Sequence, residues 1–235
     1  MPPFKEKTVL ITGATGNLGK AVACAFDALG TRLVLVGSRF ETLDAAYPSL
    51  KPHHLKLAAD LTDKAAAARV VAEAGQTSGR IDAICAIAGG FHAGKPVHET
   101  APADWDRIME MNVSTMLNVV SPAIPGMIAR KAGKIVTVGA NSAAKGAANT
   151  GAYIASKSTV MRLTESMSAE LRQYAINVNC VLPSTIDTPE NRQAMPKADP
   201  ARWVKPEDLA AVIVFLCSEN AVAMHGALVP VVGLS

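Results

Sequence analysis

Short apolar runs recur along the chain, separated by stretches in which apolar positions return every three or four residues. The short runs predict strands at Thr8–Thr12, Arg32–Gly37, His54–Ala58, Ile81–Ala88, Lys134–Gly139, Asn177–Leu182 and Leu228–Val232. The longer periods predict helices at Leu18–Leu29, Asp63–Ala74, Ala103–Arg130, Gly151–Tyr174 and Pro206–Cys217. Strand, crossover helix and strand in regular alternation imply parallel pairing with right-handed crossovers. The expected architecture is a Rossmann-like doubly wound parallel sheet of about seven strands between helical layers, α/β/α, in one domain over residues 1–235.

Two places resist the pattern. Pro122 and Pro125 fall inside the long fourth-to-fifth crossover helix, predicting a kink there or an earlier helix end. The segment from Pro183 to Lys205, "PSTIDTPENRQAMPKADPARWVK", sustains no period and reads as a lid or substrate loop.

Composition narrows the class. A hydrophobic share of 49% against 18% charged residues suits a sheet covered on both faces and excludes a disordered chain. The net charge of +3 comes without a Lys/Arg block, so neither nucleic acid nor a membrane surface is an expected partner. Cys24, Cys85, Cys180 and Cys217 form no paired-cysteine motif; Cys85 and Cys180, inside apolar runs, read as buried reduced thiols. The start "MPPFKEKTVL" has no apolar signal core and no 18-residue apolar run occurs, so a soluble cytoplasmic protein is expected.

Candidate chemistry begins at "TGATGNLGKAVACAF", where Gly13, Gly16 and Gly19 lie between the first strand and first helix. Glycine there allows a tight turn and brings a pyrophosphate close to the helix N-terminus, which predicts a dinucleotide cofactor. The second strand ends in Gly37, Ser38 and Arg39 rather than in an acid. A hydroxyl and a guanidinium suit a 2′-phosphate, so NADP(H) is expected over NAD(H), with NAD possible. Further on, "GANSAAKGAANTGAYIASKS" places Tyr153 one helical turn before Lys157.

These features together resemble the short-chain dehydrogenase/reductase family over essentially the whole chain. The glycine turn fits the family's N-terminal signature, which implies cofactor contacts at Gly13, Thr15, Asn17 and Leu18. In "AADLTD" the resemblance implies that Asp60 meets the adenine and Leu61 flanks it. "AIAGG" stands for the family's Asn-Asn-Ala-Gly, with Ala88 and Gly89 at the cofactor, and "MNV" puts Asn112 at the helix asparagine. "LPSTIDT" is similar to the family's turn near the nicotinamide, which implies roles for Pro183, Ile186 and Thr188. The implied catalytic set is Tyr153 as proton donor, Lys157 as its tuner and ribose ligand, and Asn112 as holder of a relay water. A homodimer or homotetramer formed through the two long helices is implied as well.

The chain departs from the family at four points. Asn17 replaces a glycine, Ala86 an asparagine and Ser184 a glycine; the catalytic serine's place, thirteen residues before Tyr153, is Ala140. "IDAICAIAGGFHAG" and "LPSTIDTPENRQAMPKADPARW" look like segments of the dihydropteridine reductases, a branch that keeps Tyr-x-x-x-Lys without the serine and generally uses NADH. The Gly-Ser-Arg strand end departs from that branch.

A free tyrosine has a pKa near ~10, so a nearby lysine ammonium is expected to favour its phenolate. A ketone oxygen gaining charge benefits from a second donor. Either Ser142 or Asn141 supplies it, or the substrate is a carbonyl-like quinonoid imine, such as a dihydropterin, that needs Tyr153 alone. An ordinary ketone, including a 3-oxoacyl thioester, stays open beside it, as does a catalytically weakened NADP(H)-binding regulator. His92 and His98 follow the fourth strand at the cleft rim and show no metal-ligand spacing, so no metal is expected. Phe91, Met195 and Trp203 either line the substrate side or pack as ordinary apolar residues.

Overall fold

Strand residues of this chain are apolar on both sides, and the computed structural model, which describes residues 4–235, shows why. Seven strands form one sheet in the order β3-β2-β1-β4-β5-β6-β7, every neighbouring pair parallel. They are β1 (Thr8–Thr12), β2 (Arg32–Gly37), β3 (Leu55–Ala58), β4 (Ala83–Ala86), β5 (Gly133–Val138), β6 (Ile176–Pro183) and β7 (Leu228–Val231). Side chains alternate faces along a strand. Leu10, Val34, Ile84, Ile135 and Val178 accordingly pack in one core with Val70, Val119 and Val160. Val9, Ile11, Leu33, Leu35 and Cys85 pack in the other with Val22, Phe26, Leu209 and Ile213. The first core is covered by α3 (Lys64–Ser78), α5 (Thr115–Arg130) and α6 (Gly151–Leu171); the second by α1 (Asn17–Asp27) and α8 (Pro206–Cys217).

All seven predicted strands and five predicted helical regions occur, with ends moved by a few residues. Two short helices escape the periodicity: α2 (Phe40–Ala46), with Leu43 as its one buried residue, and α7 (Pro189–Ala194), which buries none. Neither is long enough to repeat a stripe. The stretch Pro183–Lys205 is therefore not a bare loop. It carries α7 and a parallel bridge between Ile186 and Val204.

The helix does not end at the prolines. Both Pro122 and Pro125 lie inside α5, which runs on to Arg130. Each is exposed, so the proline rings lie on the water-facing side of the helix rather than in the core. The break in the long predicted helix comes earlier. Glu110–Ser114 form a π turn between α4 (Pro102–Met109) and α5.

The C-terminal residues fold back onto the segment after β6. Leu234 N donates to Arg202 O at 2.9 Å, and the Arg202 guanidinium donates to Leu234 O at 2.9 and 3.2 Å. Ser184 N donates to Val231 O, and the hydroxyls of Ser184 and Ser235 lie 2.8 Å apart. Cys85, Cys180 and Cys217 are buried free thiols and Cys24 is exposed. Among the described residues no helix is long and apolar enough to cross a membrane.

Candidate active site

Strand order reverses between β1 and β4, and a crevice opens at the carboxyl ends of parallel strands where this happens. Glycines shape its floor. Gly13 has a φ of +62°, and a Cβ there would meet Ala88 backbone at 3.1 Å. A Cβ on Gly19 would lie 2.2 Å from Gly13 O, so only glycine lets α1 start this close to β1. The N-terminus of α1 has no side-chain cap and no acid in its first turn. Its free N–H groups form a donor set suited to a pyrophosphate. Tyr47 supports the turn from behind, donating to Ala14 O at 2.6 Å.

The ends of β2 and β3 complete this side. Ser38 and Arg39 are exposed, and Arg39 is the N-cap residue of α2. Asp60 Oδ1 accepts from the backbone and hydroxyl of Thr62, bonds that hold its carboxyl below the usual range and fix its direction. Leu61 is buried beside it.

Across the crevice the segment after β4 is held from two directions. Thr12 Oγ1 accepts from Ile87 N and Ala88 N, both at 3.0 Å. Asn112, buried in the π turn, accepts from Gly90 N at 3.0 Å and donates to Gly90 O at 3.2 Å. Its amide also donates to Ser156 Oγ, which donates to Tyr153 O. A Cβ on Gly89 would strike Asn112 Oδ1 at 2.6 Å and sit 3.3 Å from Lys157 Nζ. Asn112, Gly89 and Lys157 thus meet at one point.

Helix α6 presents Tyr153 and Lys157 a turn apart. Lys157 is 6% exposed and donates to Val138 O at 3.0 Å. Burial pushes its ammonium down to about 8. Tyr153 is half-buried, and burial raises its phenol to about 12. The expected lowering by Lys157 is not what this geometry gives: desolvation alone governs the tyrosine, because the lysine is turned to the β5 carbonyl. Phe91, 68% exposed, sets its ring against that of Tyr153 with centroids 4.9 Å apart. Beside Tyr153 a cavity of about 220 Å³ extends between His92, Lys95, Asp104, Ile108 and the start of α6.

Comparison with known proteins decides the family. The description "short chain dehydrogenase" matches residues 7–199. The chain is a short-chain dehydrogenase/reductase. It is 31% identical to cis-4-hydroxycyclohexanecarboxylate dehydrogenase of Sinomonas cyclohexanicum, over 98% of this chain and 96% of that protein. The crystal structure of levodione reductase superposes with a TM-score of 0.89 at 28% identity, covering 98% and 97% of the two chains. NAD+-bound xylitol dehydrogenase superposes at 0.90 with 26% identity, covering 98% and 99%.

In this short-chain dehydrogenase/reductase, Gly13, Thr15, Asn17, Leu18, Ser38, Arg39, Asp60, Leu61, Ala88 and Gly89 belong to elements that meet at the crevice. Pro183 ends β6, and Ile186 and Thr188 follow it, Thr188 capping α7 through Asn191 N. Asn17 Nδ2 also donates to Glu190 Oε2 at 2.9 Å, a tie between α1 and α7. Asn112 has its side-chain amide already committed to Gly90 and Ser156. Ala140 is buried, whereas Asn141 and Ser142 are exposed in the short turn after it. That turn is pinned by Ala143 N to Ala140 O and by Ser158 Oγ to Ala143 O. Met195 is exposed, His98 stands in solvent beside Glu99, and Trp203 is buried.

Sequence reasoning passed over Thr12, Gly90 and Ser156. Thr12 ends an apolar strand and Ser156 sits between the two catalytic candidates, and neither type of position signals a bond across the fold. It also passed over Asp27, His53 and His54, whose ligand atoms lie within 4.8 Å of one another. Two of the three are engaged. His54 Nδ1 accepts from Leu33 N, its Nε2 faces Asp27, and both Asp27 oxygens hold Lys51.

Proposed function

We propose that this short-chain oxidoreductase reduces a carbonyl with a nicotinamide dinucleotide, Tyr153 delivering the proton to the oxygen. The observation that carries this reading is the pairing of a phenol raised to about 12 with a buried Lys157 on the same face of α6, next to an open cavity. A phenol with that pKa is protonated at neutral pH and can donate to an oxygen that gains charge. A bound nicotinamide supplies the hydride. Lys157 would hold the nicotinamide ribose, and Asn112 would keep Gly89 and Gly90 in place against it. The uncapped start of α1 would take the pyrophosphate, Asp60 the adenine, and Ile186 and Thr188 the carboxamide.

NADP(H) is the preferred form in this reading, because β2 runs into exposed Ser38 and Arg39, neither of them an acid, where the adenosine ribose would lie; the acid Glu41 follows only in the first turn of α2. Solved relatives include a NAD+-bound enzyme, so the preference rests on this chain's own residues. Replacing Arg39 with Asp should lower the NADPH-to-NADH ratio of kcat/KM about tenfold or more, as expected for losing a charge-assisted hydrogen bond. An unchanged ratio would sink the assignment.

With Ala140 in the serine's place, Tyr153 would be the main donor. Ser142 and Asn141 lie exposed in the turn after Ala140, whose backbone is pinned through Ala143, and either side chain would be the second donor if it turns toward Tyr153. Relatives act on ring and chain alcohols or ketones by name, including cis-4-hydroxycyclohexanecarboxylate dehydrogenase, which favours an ordinary carbonyl. A second reading, a quinonoid dihydropterin, draws on Ala140, since a delocalised acceptor needs fewer donors. The deciding assay follows NADPH oxidation with cyclic ketones, acetoacetyl thioester and quinonoid dihydropterin side by side. Tight NADPH binding with no oxidation by any of them would replace the enzyme by a binding regulator.

A further inference from the structure

The cavity beside Tyr153 is small and its charges are unevenly compensated. At about 220 Å³ it lies below the ~300–1,000 Å³ of pockets that enclose drug-sized ligands, so it suits a compact carbon skeleton. Much of its wall is carbon, from Ile108, Ala152 and the Tyr153 ring. Three ionisable residues are among its lining: Asp104, His92 and Lys95. The Asp104 carboxylate lies in the first turn of α4, where the helix dipole favours an anion, and Arg107 pairs with it at 3.5 Å. Lys95 has no such partner: among the described residues its ammonium takes part in no ion pair. The loop that carries it is fixed to the start of α6, Gly94 N donating to Asn149 O at 2.7 Å. Lys95 and His92 thereby share the lining of this cavity with Tyr153.

We propose that the substrate is a compact keto acid, or the matching hydroxy acid, whose carboxylate is bound by Lys95 while its carbonyl lies at the Tyr153 hydroxyl. This rests on Tyr153 being the proton donor of a carbonyl reduction. A cavity lined by both a proton donor and an uncommitted cation, with much of its wall carbon, selects for a molecule that carries a carbonyl and an anion on a compact apolar skeleton. A neutral ketone fills the walls but leaves the cation to water.

The experiment compares each of 4-oxocyclohexanecarboxylate and 4-oxopentanoate with its methyl ester, under saturating NADPH at low ionic strength. The expected acid-to-ester ratio of kcat/KM is about tenfold or more, the size of a charge-assisted bond, and it shrinks as salt is added. Lys95→Gln should bring the ratio to near one and Lys95→Arg should keep most of it. Lys95 is exposed, so neither variant threatens the core. Reduction of the esters as well as the acids in wild type, or an acid preference that survives Lys95→Gln, would overturn the inference and leave the carbonyl reductase standing. Failure of every carbonyl to oxidise NADPH would overturn the underlying reading instead.

Discussion

A buried lysine with its ammonium pushed down to about 8 changes charge within a range that an assay can reach. Below that value Lys157 is cationic and above it neutral, whereas Tyr153 keeps its proton up to about 12. Carbonyl reduction should therefore lose kcat/KM as pH rises through about 8, well before the phenol titrates. A pH profile that stays level to pH ~10, near the ordinary lysine value, would contradict the role given to the ammonium. Tyr153→Phe keeps the ring against Phe91 and removes only the donor, so kcat should fall about 10²–10⁴-fold while NADPH affinity holds. At this scale the sequence was informative where a residue type has one use, as with Tyr153, Lys157 and the glycines. It was silent on Thr12 and Ser156, whose work depends on partners 75 and 44 residues away.

Helix and loop elements show where local pattern stops carrying information. The π turn at Glu110–Ser114 has the apolar period of an ordinary helix, and nothing in "EMNVS" announces the extra residue per turn. Its cause is tertiary: Asn112 reaches Gly90 and Ser156 from there. Asn112→Ala should leave Gly90 N and O without their partner, take one donor from Ser156 Oγ, which keeps its bond to Tyr153 O, and cost about 1–3 kcal/mol of stability, measurable by urea denaturation. α2 and α7 were missed for the opposite reason, being too short and too exposed to write a stripe. α7 matters because Glu190 brings a carboxylate to the turn whose free N–H groups favour phosphate. Glu190→Gln should tighten NADPH binding severalfold in a fluorescence titration at low salt, with the gain fading as salt screens it.

Across the whole molecule the sheet order followed from the alternation of strand and helix, because right-handed crossovers leave few arrangements open. What alternation could not give was the polar stitching between remote segments. His54 illustrates it, buried with its imidazole bonded between Leu33 N and Asp27. Burial is the main cause holding its pKa below the ordinary 6.5, and the hydrogen bond that its Nε2 donates to Asp27 opposes this only in part. The unfolded chain then binds a proton first as pH falls, so stability is full above about 6.5 and declines below it. Asp27, held below its own usual value chiefly by Lys51, adds a loss at lower pH still. The melting temperature should drop between pH 7 and pH 5, and less so in His54→Gln, which keeps an acceptor but cannot titrate.

The last residues of the chain carry a practical consequence. Leu234 and Ser235 are bonded to Arg202 and Ser184, which bracket the segment holding Ile186, Thr188 and α7. Anything fused behind Ser235 pulls on the same segment that is expected to close on the nucleotide. Affinity handles, reporter fusions and surface tethers placed there would register as altered NADPH binding.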